Sequence, residues 1–458
     1  MASTVEALQV HSSYPLTDVQ LGIWLGDQVS TQQNAYTIAH TVTLKGKITI
    51  PLLVDSIHQA LRESDTIQAD YCEDANGQPV QIFQSSVNKY PVQVVHLEQQ
   101  NNPQSWIEKQ IKEDVTAALS LDGCSPLCRH VLYVLPKSEA ADSTDTEGQK
   151  QIIWYQRFHH IMLDGFSFNG FTKRVSSVYN ALCRGQTPSE NPFGAFLKVI
   201  EEEIAYKTSE KYQQDKAFWL EYANQLKPVV SLSQTEDVTA SPQTLLRQDT
   251  LIARSQINAL LSQSKVKRVT EADVALALMF AYLHKMTSAA SIPVGFPFMG
   301  RIASAALNTL GPVVNVLPLQ VRLDHGMDLD GLILAIKQQL KMVRKHHKYN
   351  AEQILRDTGK VAEAMPLYGP TVNLRLFDYE LQFDNAKARI EHLAAGPVSH
   401  GAARSPSRPA TIASAGGSIS GYYHAFCAFY ASRLCWAFYQ RGGNYGRDFV
   451  QELKAGLL

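Results

Sequence analysis

The sequence has no long apolar run and no excess of charge of either sign. Acidic and basic side chains nearly balance over 458 residues, at a formal net charge of −1. This gives no reason to propose nucleic acid as a partner. No run of roughly 18 apolar residues occurs, so we expect no membrane span. The N terminus lacks the basic and apolar segments of a secretory signal. These absences predict a cytoplasmic globular protein.

Cysteine is also scarce, with six residues in the whole chain. Six cysteines spread over this length do not form a disulfide framework. Cys124 and Cys128 lie close together, but no second pair follows at the spacing of a zinc site. We therefore expect free thiols and no bound metal. The length predicts two or three domain-sized units with ample core.

The most informative feature that is present is the segment 159–165, His-His-Ile-Met-Leu-Asp-Gly. The residues before it, 152–158, are β-branched and aromatic, which predicts a strand. Apolar residues at helical spacing over 166–183 predict a helix after it, with Gly185 as its C-terminal cap. The histidines are therefore expected on a short strand-to-helix connection, where a rigid scaffold commonly presents reactive groups.

The residue types in this segment suit proton-transfer chemistry. Histidine takes and returns protons near neutral pH. An aspartate either holds an imidazole or anchors the loop through an arginine, and a glycine lets its N–H approach a developing oxyanion. A His-His pair beside an aromatic strand is also compatible with a hydrogen-bonded core feature. The Asp-Gly at this offset favours the functional interpretation.

Helical and extended patterns alternate along the whole chain, which predicts an α/β or α+β two-layer class. Pro, Gly and Asn mark 185–195 as a connector between two subdomains, and Asn76-Gly77 predicts a hairpin. We expect helices at 15–30, 50–63, 103–120, 193–226, 270–286 and 328–349, and strands at 36–44, 129–135, 292–298, 313–323 and 372–378. The polar stretch 137–150 predicts a surface loop.

Several further segments, taken in order, resemble the condensation domain of nonribosomal peptide synthetases from about residue 12 to 398. The segments that carry the resemblance are 14–24, 126–129, 159–165, 295–301, 311–319, 344–349 and 369–373. Seven ordered segments are far more specific than one motif.

The resemblance implies two chloramphenicol-acetyltransferase-like lobes that form a V-shaped pseudo-dimer around a central tunnel. One lobe would comprise 12–184 and the other 185–398. It further implies that the protein binds no cofactor of its own and acts on phosphopantetheine-tethered substrates. The donor would be an aryl or acyl carrier protein and the acceptor a peptidyl carrier protein, and a monomer would suffice. An aryl group such as 2,3-dihydroxybenzoyl and an amino acid such as serine are implied, in siderophore synthesis.

By the same resemblance, the residues of the central motif acquire roles. His160 would take a proton from the attacking amine, or orient that amine and stabilise the tetrahedral intermediate. Gly165 would donate its N–H to the oxyanion, and His159 would be structural. Asp164 would form an ion pair with Arg301 that holds the loop.

Four further residues lie in the segments that carry the resemblance. Asn315 and Asn373 would either line the tunnel or serve as hydrogen-bonded core amides. His346 and His347 lie in a basic helical segment and are expected on a solvated face, with contact to a carrier protein or a phosphate as the alternative.

The tail, residues 399–458, departs from the family pattern. Ala, Gly, Ser, Arg and Pro dominate from 400 to 417, and an aromatic-rich run follows. This favours a shifted reading frame or a truncated gene, which would leave the second lobe without a strand and a helix. Alternatives to condensation are an epimerisation domain, a coenzyme A-dependent acyltransferase, and an inactive fragment that only docks carrier proteins.

Overall fold

The computed structural model describes most of the chain. The described residues are 13–29, 34–83, 89–121, 126–136, 150–229, 246–324, 326–360, 366–374 and 381–393, with strands at 411–416 and 422–429. For the strands at 246–253, 411–416 and 422–429 the backbone alone is considered.

Helices and strands alternate along the described residues, so the predicted mixed class is confirmed. The helices are α1 Asp18–Val29, α2 Ile50–Arg62, α3 Asp65–Gln68, α4 Pro103–Thr116, α5 Gly165–Cys183, α6 Leu197–Lys207, α7 Glu210–Gln225, α8 Arg254–Gln263, α9 Glu271–Thr287, α10 Leu329–Arg344 and α11 Ala351–Asp357. The strands are β1 Ser13–Pro15, β2 Thr37–Gly46, β3 Asp70–Glu73, β4 Pro79–Ile82, β5 Val92–His96, β6 Cys128–Val134, β7 Lys150–His159, β8 Leu246–Ala253, β9 Ser291–Phe298, β10 Asn315–Arg322, β11 Thr371–Val372, β12 Gln382–Phe383, β13 Ala386–Leu393, β14 Thr411–Gly416 and β15 Tyr422–Phe429. None of these helices combines the length and apolar character that crossing a bilayer requires.

The chain divides into two compact units. The first consists of Met1–Ala205, Arg301–Pro312 and Leu381–Ala395, and the second of the remaining segments. The change of unit after Ala205 lies later than the predicted connector at 185–195. The physical reason is that the intervening residues bond to the first unit, since Phe196 N donates to Asp65 and Asp18 N donates to Glu203.

The first unit is built on a six-stranded sheet in the order β12-β13-β2-β7-β6-β5. The β5–β6 pair is parallel and the other pairs are antiparallel. One face packs on α4 through a cluster that includes Ala39, Val131 and Tyr155. The opposite face meets α5, where the ring of Phe158 lies 5.5 Å from that of Phe168. This packing buries β7 on both faces and makes it a rigid base for the loop that follows it.

A smaller antiparallel sheet, β1-β4-β3, belongs to the same unit. Its β3–β4 turn contains the predicted Asn76-Gly77 pair, with Gly77 at φ 73°. A positive φ is favourable for glycine because it has no Cβ. The predicted hairpin is therefore confirmed.

The second unit is built on the sheet β10-β9-β11-β14-β15-β8. Helix α9 lies in its core and begins with a capping box, in which Thr270 and Asp273 accept from each other's backbone N–H. Helix α10 buries Leu332, Ile333 and Ile336 in the same core. Helices α9 and α10 and the strand pair β9–β10 therefore form the hydrophobic core of the second unit.

Some predicted elements differ from the observed ones. The predicted helix 193–226 is two helices, α6 and α7. The break lies at Ser209, whose hydroxyl accepts from the Tyr212 N–H as the N-cap of α7. The region 313–323 is one strand that pairs with β9. The predicted strand 372–378 is short, and its residues 375–378 lie outside the described residues, as does most of the loop 137–150.

The tail also differs from its prediction. The composition of 399–458 predicts a second unit that lacks a strand, whereas β14 pairs with β11 and β15 pairs with β8. The hydrogen bonds between paired strands are formed by main-chain groups, so a segment rich in small residues can still form them. The interpretation of the tail as a shifted reading frame or truncated gene stays a prediction.

Candidate active site

The segment 159–165 forms a tight turn between β7 and α5. His159 is the last residue of β7 and pairs with Thr37 of β2. The His160 N–H donates to the Tyr36 carbonyl at 2.7 Å. Main-chain hydrogen bonding between the two segments therefore continues one residue beyond the paired ends of β7 and β2. Ile161 is fully buried, as are the next two residues of the turn. The turn is therefore held by its own apolar side chains as well as by the strand beneath it.

His159 is completely buried and tied to the protein through both ring nitrogens. Its Nδ1 accepts from the Ile161 N–H at 3.2 Å, which places the ring proton on Nε2. Nε2 lies 3.5 Å from a carboxylate oxygen of Asp27 in α1. The His159 backbone N–H donates to the Leu127 carbonyl at 2.8 Å. These contacts suit a residue that shapes the loop.

His160 is half-buried, in contrast to its neighbour. His159 ends β7 and turns into the protein toward Asp27. His160 begins the turn and keeps part of its surface accessible. Of the two adjacent imidazoles, His160 is the one with access to the surroundings of the loop.

Asp164 is 1% exposed and uses both carboxylate oxygens. Oδ1 accepts from the Ser167 N–H at 2.8 Å, which makes Asp164 the N-cap of α5. Oδ2 accepts from Nη2 of Arg301 at 2.7 Å. The carboxylate thus closes the first turn of the helix and pairs with the guanidinium predicted from the sequence.

Arg301 is 3% exposed, and its guanidinium donates several hydrogen bonds within the first unit. Its Nη1 donates to two carbonyl groups of its own segment, and its Nη2 to three oxygens. These acceptors are the carbonyls of Ala306, Thr309 and Gly311, the Ser167 hydroxyl and Asp164. The guanidinium carbon also lies 4.5 Å from the Phe166 ring centroid. One cation therefore fastens the segment Arg301–Pro312 to the start of α5.

Gly165 is the first residue of α5. A Cβ placed on it would meet no atom within 4 Å, and its φ is not positive. Neither crowding within the protein nor backbone strain requires a glycine here. Its N–H is one of the first four of the helix, which have no intrahelical acceptor and carry the positive end of the helix dipole. Open space beside such an N–H suits the approach of a developing anion.

Three contributors to the loop were not found from the sequence. The Ser167 hydroxyl donates to the Gly311 carbonyl at 2.9 Å. Gln20 Nε2 lies 3.4 Å from the Ile161 carbonyl, and Asp27 faces His159. Asp164 followed three residues later by Ser167 at a helix start is a readable capping signal. No local signal identifies Asp27, because its partner lies in another element.

The predictions for Asn315 and Asn373 have different outcomes. Asn315 donates to the carbonyls of His347 and Tyr349 and accepts from the Ala351 N–H. This uses the amide fully within the backbone of the second unit and favours the core-amide alternative. Asn373 is half-buried at the end of β11. Its assignment to a tunnel stays a prediction.

The expected solvated face at His346 is wrong. Its Nδ1 lies 2.6 Å from the fully buried Asp215 carboxylate, and its ring stacks on Phe218 with centroids 3.9 Å apart. His346 lies after the end of α10, where the turn folds the imidazole back onto α7. His347 is also partly buried, and desolvation lowers its pKa.

A buried polar residue, His130, lies in the sheet below α5. Its Nδ1 accepts from the Trp154 indole N–H at 3.2 Å, and its Nε2 lies 3.3 Å from Cys128 Sγ. Burial lowers the pKa of His130 to about 3, with a smaller contribution from the charge of His58. Burial also raises the pKa of the Cys128 thiol. Both groups are therefore neutral parts of the core near pH 7. Within the described ranges, no group of three His, Cys, Asp or Glu residues is arranged to hold a metal.

Comparisons with known proteins agree with the motif. The model of the condensation domain family matches residues 10–404. Enterobactin synthase component F of Escherichia coli O157:H7 is 34% identical over 84% of this chain, and the dimodular nonribosomal peptide synthase of Bacillus subtilis strain 168 is 31% identical over 84%. The matched region is 29% and 16% of the length of these relatives, respectively.

Solved condensation domains share the fold. The starter condensation domain of rhizomide synthetase RzmA, as an arginine-to-alanine mutant in complex with C8-CoA, is 26% identical with a TM-score of 0.80, covering 97% of this chain and 95% of that one. The first condensation domain of the calcium-dependent antibiotic synthetase also gives a TM-score of 0.80, covering 97% of both chains, and at 21% identity it supports the fold alone. The chain therefore belongs to the condensation domain family of nonribosomal peptide synthetases, acyltransferases that form amide bonds between substrates tethered to carrier proteins.

Proposed function

We propose that this domain joins an aryl thioester of the 2,3-dihydroxybenzoyl type to the amine of a seryl thioester during siderophore assembly. Both substrates would be delivered on phosphopantetheine arms, one by an aryl carrier protein and the other by a peptidyl carrier protein. The observation that carries the proposal is the loop 159–165, in which His160 is half-buried and Gly165 begins α5 with open space at its Cα.

The reaction needs little from the protein beyond a proton acceptor and an oxyanion donor. The amine nitrogen attacks the thioester carbonyl carbon, and negative charge develops on the carbonyl oxygen. Collapse of the tetrahedral intermediate breaks the C–S bond and leaves an amide on the acceptor carrier and a thiol on the donor carrier. The proton lost by the amine ends on the departing sulfur, so no net proton is consumed.

The side chains present support specific roles. His160 would accept the amine proton, or would hold the amine and stabilise the intermediate. The Gly165 N–H would donate to the oxyanion, because it lies at the positive end of a helix dipole with open space beside it. His159, Asp164 and Arg301 would position these two groups without touching substrate.

The choice of substrates is supported by the relatives. Three curated forms of enterobactin synthase component F are 34% identical to this chain, and the vanchrobactin synthetase VabF of Vibrio anguillarum is 29% identical.

The decisive experiment mixes the purified chain with an aryl-loaded carrier protein and a seryl-loaded carrier protein. Intact mass spectrometry of the acceptor carrier then follows the gain of one aryl group. We expect product with the wild-type chain and a rate lower by about 10²–10⁴ with His160→Ala. Equal rates for the two proteins would contradict the role of His160.

Two further arms test the substrates and the competing activities. Replacing the aryl carrier with free aryl-coenzyme A should abolish transfer, and a fatty-acyl carrier should react more slowly than the aryl carrier. A faster reaction with free coenzyme A thioester would indicate a soluble-donor acyltransferase. Deuterium exchange at the seryl α-carbon without amide formation would indicate epimerisation.

A further inference from the structure

The exposed side of α10 in the second unit combines lysines with an uncovered leucine. Leu334 is 49% exposed although the opposite side of the helix is buried in the core. Leu334, Lys337, Gln338 and Lys341 are spaced so that they share one helix face. A surface leucine between long cationic side chains departs from an ordinary solvated helix face, which presents mainly polar groups.

This face forms one wall of a groove of about 500 Å³. The other wall is the connection between α8 and α9, which contributes Lys265, Val266 and Lys267. Val266 packs partly against the core of the unit, so the floor of the groove is apolar. Lysines therefore stand on both rims of an apolar strip, and all lining residues belong to the second unit.

The acidic groups at the groove are already used to hold its walls together. Asp330 accepts from the Ser264 hydroxyl at 2.6 Å and from the Lys265 N–H at 2.9 Å, which fixes the connection to the start of α10. Asp273 accepts from Lys337 at 2.9 Å. Among the described residues, Lys267 and Lys341 form no ion pair. The groove therefore keeps a net positive charge that its own carboxylates do not neutralise.

We propose that this groove docks an acidic amphipathic helix of a partner protein. From Asp330 to Lys341 the face extends for roughly 16 Å, the length of about three helical turns. A partner helix of that length would place an apolar ridge on Leu334 and Val266 and carboxylates beside Lys267 and Lys341. Apolar contact on the floor would slow dissociation, and the rim lysines would speed association and make it salt-dependent.

The test uses the whole chain and a fluorescein-labelled synthetic helical peptide of about 15 residues, with one leucine ridge flanked by glutamates. Binding is followed by fluorescence anisotropy at low and at physiological salt. The double variant Lys267→Glu/Lys341→Glu should raise the dissociation constant at least about tenfold at low salt. A matched variant, Lys45→Glu/Lys387→Glu, changes two exposed lysines of the first unit by the same charge and should leave binding unchanged.

A second pair of variants tests the apolar floor. Leu334→Ser should speed dissociation, whereas Met286→Ser removes a methionine of similar exposure, 44%, on α9 and should not. Hydrogen exchange should slow at 264–270 and 329–341 when the peptide binds. Absence of saturable binding, equal losses in the matched variants, or equal affinity for a peptide with lysines in place of glutamates would overturn the proposal. The test does not depend on condensation activity, so its outcome is independent of the proposed function.

Discussion

Arg301 and Asp164 form an ion pair at 2.7 Å in which both side chains are almost completely buried. The two residues are 137 positions apart in the chain. The pair joins the segment Arg301–Pro312 to the first turn of α5, immediately after the His-His loop. Each partner has additional hydrogen bonds, so neither charge depends on the other alone.

Removal of one partner of this pair should destabilise the protein strongly. Asp164→Asn leaves the Arg301 charge buried opposite a neutral amide, and the expected loss of unfolding free energy is about 3–5 kcal/mol. Chemical denaturation measures this loss. The double variant Asp164→Asn/Arg301→Met should lose less than the sum of the two single variants, because no uncompensated charge remains. Strict additivity would show that the two side chains do not interact.

The two adjacent histidines should respond differently to substitution. His160→Ala removes a half-buried ring and should leave the unfolding free energy within about 1 kcal/mol of wild type while activity falls by about 10²–10⁴. His159→Ala leaves a cavity and removes the ring that faces one carboxylate oxygen of Asp27, and should cost about 2–4 kcal/mol. Denaturation and the carrier-protein assay should be run in parallel. A stable, inactive His159→Ala protein would reverse the assigned roles.

Gly165 offers a test of the space that a substrate would fill. Gly165→Ala adds a methyl group that meets no protein atom within 4 Å, so we expect unchanged or slightly higher stability. If substrate approaches this backbone closely, the rate should fall at least about tenfold. Full activity in the carrier-protein assay would contradict that approach.

The matched control is Gly26→Ala, another glycine in a helix. There the added carbon would lie 1.8 Å from the Tyr36 hydroxyl oxygen, so either α1 or the Tyr36 ring must shift. Overpacking of this kind costs about 1–3 kcal/mol. A stable Gly26→Ala beside an unstable Gly165→Ala would invert the expected order.

His130 should make stability depend on pH. Its folded pKa of about 3 lies below the ordinary value of 6.5, so between these values the unfolded chain binds the proton that the folded protein excludes. Stability contributed by the neutral imidazole is complete above pH 6.5 and is lost as the pH falls toward 3, by at most about 1.4 kcal/mol per pH unit. Urea denaturation from pH 6.5 to 4.5 measures the slope.

The variant His130→Gln separates this residue from the other titrating groups. It should be less stable at pH 6.5, because the buried imidazole that accepts from the Trp154 indole N–H is replaced by a side chain of different shape, but its slope should be smaller by about one proton. Identical slopes in the two proteins would show that His130 is protonated in the folded state.

The sequence alone determined the local structure around the site. Aromatic and β-branched residues predicted β7, apolar spacing predicted α5, and Asn76-Gly77 predicted the hairpin. Each of these signals acts over a few residues, through side-chain spacing or backbone preference. Ordered motifs also allowed a resemblance that paired Asp164 with Arg301. Serine is a favoured N-cap residue, so Ser209 is the local signal that divides 193–226 into two helices.

The tertiary structure decided the parts that depend on long-range contacts. Asp27 and Gln20 reach the loop 159–165 only because α1 packs beside it, and no periodicity encodes that meeting. The helical pattern predicts His346 on a solvated face, because such a pattern does not reveal the turn that folds its ring onto Asp215. Local propensity extends over one or two turns, whereas burial and polar partners are fixed by which elements pack together. The sequence therefore determined which groups carry the chemistry, and packing decided which of them are held, exposed or neutral.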